Sequence, residues 1–158
     1  MTKSCVIPVR DGKVARVDAA DAVLLRKHTW YCKPGKMTAY AQANIGGQTV
    51  KMHRLILNAP SGMQVDHIDG DGLNNTRANL RLVTNSQNSM NRRKSRNASS
   101  KYKGVAWDTA RRGWVAYIWI NGKNKSLGKF DTEVEAARVY DTAARKNFGE
   151  FARPNFSA

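Results

Sequence analysis

Asp66 and His67 stand side by side in Val65-Asp-His-Ile68, at the end of a strand-like run, and a loop rich in Gly, Asp and Asn follows them. The chain then resumes an apolar rhythm at Leu80, Leu82 and Val83, which predicts a second strand. Thr84 and Gln87 occupy capping-box positions, so a helix is expected to start here with Asn88 in its first turns. Strand, loop, strand and helix in so short a span bring Asp66, His67 and Asn88 within reach of one point. A carboxylate and an amide oxygen are hard ligands suited to Mg2+, which keeps several waters and accepts a substrate phosphate. A neutral imidazole beside them, with an ordinary pKa of about 6.5, can take a proton from an attacking water. A bound cation stabilises charge on the scissile phosphate and on the leaving oxygen. Together these residues point to phosphodiester hydrolysis.

Other chemistry fits the segment less well. Asp-Gly-Asp-Gly suggests a calcium loop, yet with Gly72 at loop position six, His67 falls at position one and Ala78 at position twelve, where an acid is required. Zinc is not expected, because His53, His67, Cys5 and Cys32 include no pair at close ligand spacing. His28, beside Trp30 and Tyr31, reads as a packing or surface histidine, and His53 as a support for the loop rather than a phosphate contact. The Asn-rich stretch from Asn74 to Asn88 is turn chemistry on its own, and only its joint spacing with Asp66 and His67 gives it more weight.

The surrounding elements must position this segment. Ahead of it, Val6 to Val9 and Val14 to Val17 alternate around Asp11-Gly12 as a hairpin, and Ala19 to Lys27 is a short helical stretch. Ala39 to Asn44 and Thr49 to His53 are strand candidates joined by Gly46-Gly47. After it, Gly104 to Trp107, Trp114 to Ile120 and Lys125 to Phe130 alternate like strands, with Asn121-Gly122 as a type I′ hairpin turn. Thr132-Glu-Val-Glu135 is a capping box for a helix that runs to Phe148 and stops at Gly149. Its Ala136, Ala137, Tyr140, Ala143 and Ala144 form a face of mostly small residues that lets the helix lie close on a sheet. The fold class expected is α+β, with a three-stranded antiparallel sheet backed by one helix in the second half.

The 158 residues include 27 Lys and Arg against 12 Asp and Glu, a formal charge of +15, and 41% are apolar. That suffices for a modest core and makes a polyanion the default partner. No apolar run approaches the roughly 18 residues of a membrane span. Met1 to Arg10 shows no secretory signal, and two cysteines make no disulfide framework. A cytoplasmic monomer without a membrane partner is the default expectation. Residues 1–88 carry +6, residues 89–101 carry +5 and residues 102–158 carry +4. The middle segment is short and polar, and it reads as a basic linker that lies along phosphates through Arg92, Arg93, Lys94 and Arg96.

The first unit resembles the HNH (ββα-metal) nucleases, especially the zinc-free homing endonucleases of phages and group I introns. The likeness rests on Val65-Asp-His-Ile-Asp-Gly-Asp71, on Asn74-Asn75 with Asn79-Leu80, on Thr84 with Asn88, and on the upstream Met52-His-Arg-Leu-Ile-Leu57. It implies a ββα-metal nuclease domain at residues 1–88, core motif 50–92, with His67 as general base and Asp66 and Asn88 as ligands of Mg2+ or Mn2+. Asn79 is then the residue that holds the loop and orients His67. A bacterial host cell is the setting such a phage or mobile-element protein implies.

The second unit, residues 102–158, resembles the Apetala/ethylene-response-factor (AP/ERF) DNA-binding domain. Tyr102-Lys-Gly-Val105, Gly113-Trp-Val-Ala116, Leu127-Gly-Lys-Phe-Asp-Thr132, Glu135-Ala-Ala137, Tyr140-Asp-Thr-Ala-Ala144 and Asn155-Phe156 carry the likeness. It implies a sheet that enters the major groove of double-stranded DNA with a helix behind it. If Ala116, Ile118 and Ile120 face the helix, Tyr117 and Trp119 face the partner, with Lys103, Arg111, Arg112, Lys123 and Lys125 around them. Trp114 is expected in the core. The family's base-reading arginines are largely not kept: two of their positions hold Ala106 and Asp108, and the strand-two acid and Arg are Tyr117 and Trp119. The docking mode carries over and the target sequence does not. The function expected is a divalent-metal-dependent DNA endonuclease. A non-catalytic DNA-binding regulator and an RNA-binding factor are the competing classes. The joint presence of Asp66, His67, Asn79 and Asn88 weighs against the first, and the likeness to a duplex-binding sheet against the second.

Overall fold

A computed structural model of the chain describes residues 3–35, 38–91 and 99–157. It divides into two compact units, Met1–Asn88 and Ser89–Ala158. Both are mixed α+β, built from small antiparallel sheets and few helices. Arg92, Arg93, Lys94 and Arg96 lie outside the described residues.

The first unit opens with the hairpin β1 (Ser4–Val9) and β2 (Lys13–Asp18), turned through Asp11 and Gly12, both at positive φ. Its alternation buries Ile7, Val9, Ala15 and Val17 on one face. Helix α1 (Ala19–Leu25) follows directly and buries Ala22 and Leu25. Strands β3 (Tyr31–Pro34), β4 (Ala39–Ile45) and β5 (Gln48–Lys51) form a sheet in that order. The strand expected over Thr49 to His53 ends earlier, at Lys51, and Met52 opens the short helix α2 (Met52–Ile56). Burial of Met52, His53 and Ile56 follows the helical period rather than alternation, which is why the chain turns there. Strand β3 carries no clear alternation, and nothing in its sequence announces it. The hairpin β6 (Gln64–His67) and β7 (Leu80–Val83) pairs Gln64 with Val83 through His67 with Leu80, and α3 (Asn85–Asn91) comes after it. Val65 and Leu80 join Ile7, Leu25, Trp30, Met52 and Ile56 in one core.

In the second unit, β8 (Val105–Asp108), β9 (Gly113–Ile120) and β10 (Lys123–Phe130) make an antiparallel sheet with β9 central. Asn121 and Gly122 both have positive φ, as a type I′ turn requires. Helix α4 (Glu133–Phe148) starts at a complete Thr132/Glu135 capping box and gives way to Gly149. Its Ala136, Ala137, Tyr140, Ala144 and Phe148 are buried, in two clusters that also hold Val105, Ala116 and Ile118. Gly104 sits under the Tyr140 ring, where an added Cβ would come within 2.0 Å. The register of β10 slips between Ser126 and Gly128, a β-bulge at Leu127. Among the described residues no helix is long and apolar enough to cross a membrane.

Candidate active site

The site is built where β6 meets its loop. Asp66 and His67 are only 7% and 5% exposed, so neither is an ordinary surface side chain. Asp66 lies directly across the ladder from Arg81, and the Arg81 guanidinium donates to its Oδ2 from both Nε (3.0 Å) and Nη2 (2.8 Å). That fork fixes the orientation of the carboxylate. Nε2 of His67 pairs with Oδ1 of Asn75 at 3.2 Å. With the carboxamide oxygen accepting, Nε2 carries the proton of the neutral ring and Nδ1 is the basic nitrogen.

Burial lowers the pKa of His67, opposed by the Asn75 hydrogen bond and by the charges of Asp69, Asp66 and Asp71. The ring is therefore neutral at neutral pH. His53 packs edge-on against it, ring centroids 4.9 Å apart, and Tyr40 contacts both rings. Burial drives the pKa of His53 down to about 3, helped by His67, Lys51 and Arg54. His53 is thus a neutral wall against His67 and Tyr40, and its buried Nδ1 has no hydrogen-bond partner. Tyr40 is pushed up by burial and by the Asp66 charge.

Asn79 ties the loop together, the first half of what was expected of it. Its Nδ2 donates to Asp69 Oδ1 (3.0 Å) and to the Asn74 carbonyl (2.8 Å), and its Oδ1 accepts from the Asp69 amide (3.1 Å). The side chain seen bonded to the His67 ring is that of Asn75. The reason lies outside the motif: the Asn75 amide donates to the Arg16 carbonyl at 2.7 Å, which fixes this residue, fully buried, where its carboxamide meets the ring. Residues ahead of β6 clamp the same loop elsewhere. The Arg16 amide donates to Leu73, Gly72 donates to Thr38 Oγ1, and the Arg77 guanidinium forks onto Asp21 while its amide donates to Asp18. Asp18 and Asp21 are buried acids in a basic chain, which is the signal that sequence reading passed over. Asn88 is half-buried on α3, whose start carries the Thr84 and Gln87 capping box. Among the described residues no three His, Cys, Asp or Glu side chains group as a metal centre.

In the second unit, Ala116 and Ile118 are buried while Trp119 is 64% exposed, so strand parity is as expected. Trp114 is half-buried against the core, and Trp107 packs edge-on to it while staying exposed. The placement of the cations needs correcting. Lys123 and Lys125 pair with Ile120 and Ile118, so they stand on the helix side at the sheet's edge, and Asn124 and Ser126 take the outer positions opposite Trp119 and Tyr117. Arg111 and Arg112 are exposed at the β8–β9 turn. Lys103 is turned inward: its ammonium donates to the Met90 carbonyl and its backbone is held by Asn155.

Residues 50–90 match the model of the HNH endonuclease family, and residues 100–150 that of the AP2 domain. Over 151 residues the chain is 37% identical to the uncharacterized HNH endonuclease L560 of Acanthamoeba polyphaga mimivirus, covering 91% of this chain and 75% of that protein. It is 35% identical over 94 residues to protein 3.8 of Escherichia phage T7, covering 60% and 77%. APETALA2-like protein 2 of Oryza sativa subsp. indica is 46% identical over 66 residues, 42% of this chain and 15% of its own length. No solved structure matches significantly. With three quarters of the mimivirus protein aligned to it, the chain belongs to the HNH endonuclease family, and it is a phosphodiester hydrolase that carries a DNA-binding AP2 domain C-terminal in sequence to its nuclease module.

Proposed function

We propose that the nuclease module cuts double-stranded DNA with His67 as general base and a divalent cation, Mg2+ or Mn2+, held by Asp66 and Asn88, with β6, β7 and α3 as its ββα unit. The observation that supports this most is the state of His67, an imidazole buried beside a carboxylate, kept neutral by burial and fixed through Nε2 by Asn75. With Nε2 held in this way, Nδ1 is the nitrogen that would take the proton of a water attacking a phosphate. The donor types suit the cation: one buried carboxylate, which it would share with Arg81, and one amide oxygen are hard ligands, and so small a set leaves positions for water and a phosphate oxygen. When bound, the cation supplies charge stabilisation at the phosphate.

The AP2 sheet docks in the major groove and directs the module. Arg111 and Arg112 anchor phosphates at one end, Lys123 and Lys125 reach them from the sheet edge, and Arg92, Arg93, Lys94 and Arg96 follow the backbone between the units. Lys103 contributes less, because its ammonium is already engaged. One such site per chain cuts one strand at a time, so a monomer nicks.

The test is incubation of the full chain with supercoiled plasmid and Mg2+, Mn2+ or EDTA. Nicking or linearisation is expected with metal and none with EDTA. His67→Ala should lose roughly 10²–10⁴-fold in rate and still retain DNA in a mobility shift. Cutting in EDTA, or an undiminished His67→Ala, would falsify the mechanism.

A further inference from the structure

The register of the C-terminal sheet settles which side chains its outer face presents. Antiparallel partners share a face, so the side opposite α4 carries Ala106, Val115 and Lys129 in one row, Tyr117 and Ser126 in the next, and Trp119 with Asn124 in the last. The stem of Lys129 lies over Gly113, where an added Cβ would come within 2.2 Å of its Cε, and this draws it towards the β8–β9 turn. Asp108, on the same face, is occupied at that turn: it accepts from the Arg111 amide and faces the Arg111 guanidinium at 3.7 Å. Among the paired strand residues of this face there is no arginine, and the one that borders it, Arg111 at the turn, is held against Asp108. A depression of about 520 Å³ opens there, lined by Ala106, Val115, Tyr117, Asn124 and Ser126 and, at its turn end, by the Asp108 and Arg111 pair.

This chemistry is selective. Guanine is read best by a guanidinium, which bonds O6 and N7 together. Adenine presents a donor at N6 beside an acceptor at N7, the pattern a carboxamide complements, and thymine presents a methyl that packs on apolar or aromatic surface. Asn124 supplies the carboxamide, and Ala106, Val115 and Tyr117 supply the apolar surface beside it. On the reading that this sheet docks in the major groove, we infer that its outer face selects A·T base pairs. Asn124 reads the adenine, and the depression receives the thymine methyl.

Selection from randomised duplexes at fixed ionic strength tests this, using the full chain with His67→Ala so that bound DNA stays intact. Enriched sites should centre on A·T pairs. Replacing thymine by uracil in an enriched duplex, which removes only the methyl, should weaken binding several-fold. Asn124→Ala should reduce the preference for A·T over G·C by roughly 5- to 100-fold, whereas Lys125→Ala should lower affinity for all duplexes alike. Enrichment of G·C pairs, or a preference indifferent both to uracil and to Asn124→Ala, overturns the inference. Duplex retained without any enrichment also overturns it and leaves DNA docking intact. Failure to retain any duplex removes docking itself, and the inference with it.

Discussion

Two asparagines four residues apart divide the work around His67, and they should separate experimentally. Asn75→Ala removes the partner of Nε2 and leaves a buried donor unsatisfied, at a cost of about 1–3 kcal/mol, and the ring's tautomer should become mixed. Asn79→Ala should loosen the loop at Asp69 and Asn74 while nitrogen NMR shifts of the His67 ring stay as in the parent. Equal tautomer shifts in both variants would undo the assignment. His53 makes a second prediction. Its folded pKa of about 3 lies below the ordinary value of 6.5, so the unfolded chain takes up a proton that the folded chain refuses. Stability is then present above pH 6.5 and lost as pH falls towards 3, by up to about 1.4 kcal/mol per pH unit. His53→Phe should flatten the dependence of Tm on pH between 7 and 4.5, and a parallel curve would count against it. The place of Asp66 and His67 at the end of a strand was legible in the sequence because the pattern that sets it is local. Asn75 was not, because what fixes it is the Arg16 carbonyl, far away along the chain.

At the scale of elements, sequence patterns gave the C-terminal sheet and helix almost to the residue. Alternation, an Asn-Gly turn and a capping box each act over a few positions and agree with one another. The N-terminal half was harder. Strand β3 has no alternation to announce it, and α2 is too short for periodicity to be distinguished from the strand before it. Glycine carries information of another kind, legible only once elements are packed. Gly104 has φ 75° and lies under Tyr140, so Gly104→Ala combines a left-handed strain with overpacking. A loss of about 3 kcal/mol or more is expected in denaturant unfolding. Thr132→Ala, which removes one cap from α4, should cost only about 1 kcal/mol. The reverse order would mean that the helix start, and not its seat on the sheet, limits the stability of this unit.

For the whole molecule, charge governs encounter and the buried acids govern construction. Replacing Arg111, Arg112, Lys123 and Lys125 together by Ala should flatten the log-log salt dependence of DNA binding by roughly 0.9 for each phosphate no longer neutralised. His67→Ala should leave that slope alone, and a slope unchanged in the fourfold variant would place the phosphate-binding cations elsewhere. The net charge named the partner class from the sequence but could not show that Asp18 and Asp21 brace the loop after β6 through Arg77. The bulge at Leu127 carries one more consequence. By resetting the phase of β10 it lets Leu127 and Phe130 pack inward while Asn124 and Ser126 stay outside. Side chains answerable to the fold and side chains answerable to a target thus alternate along one strand without sharing positions. Such a strand can drift to a new address in DNA, one outward residue at a time, under little constraint from its own core.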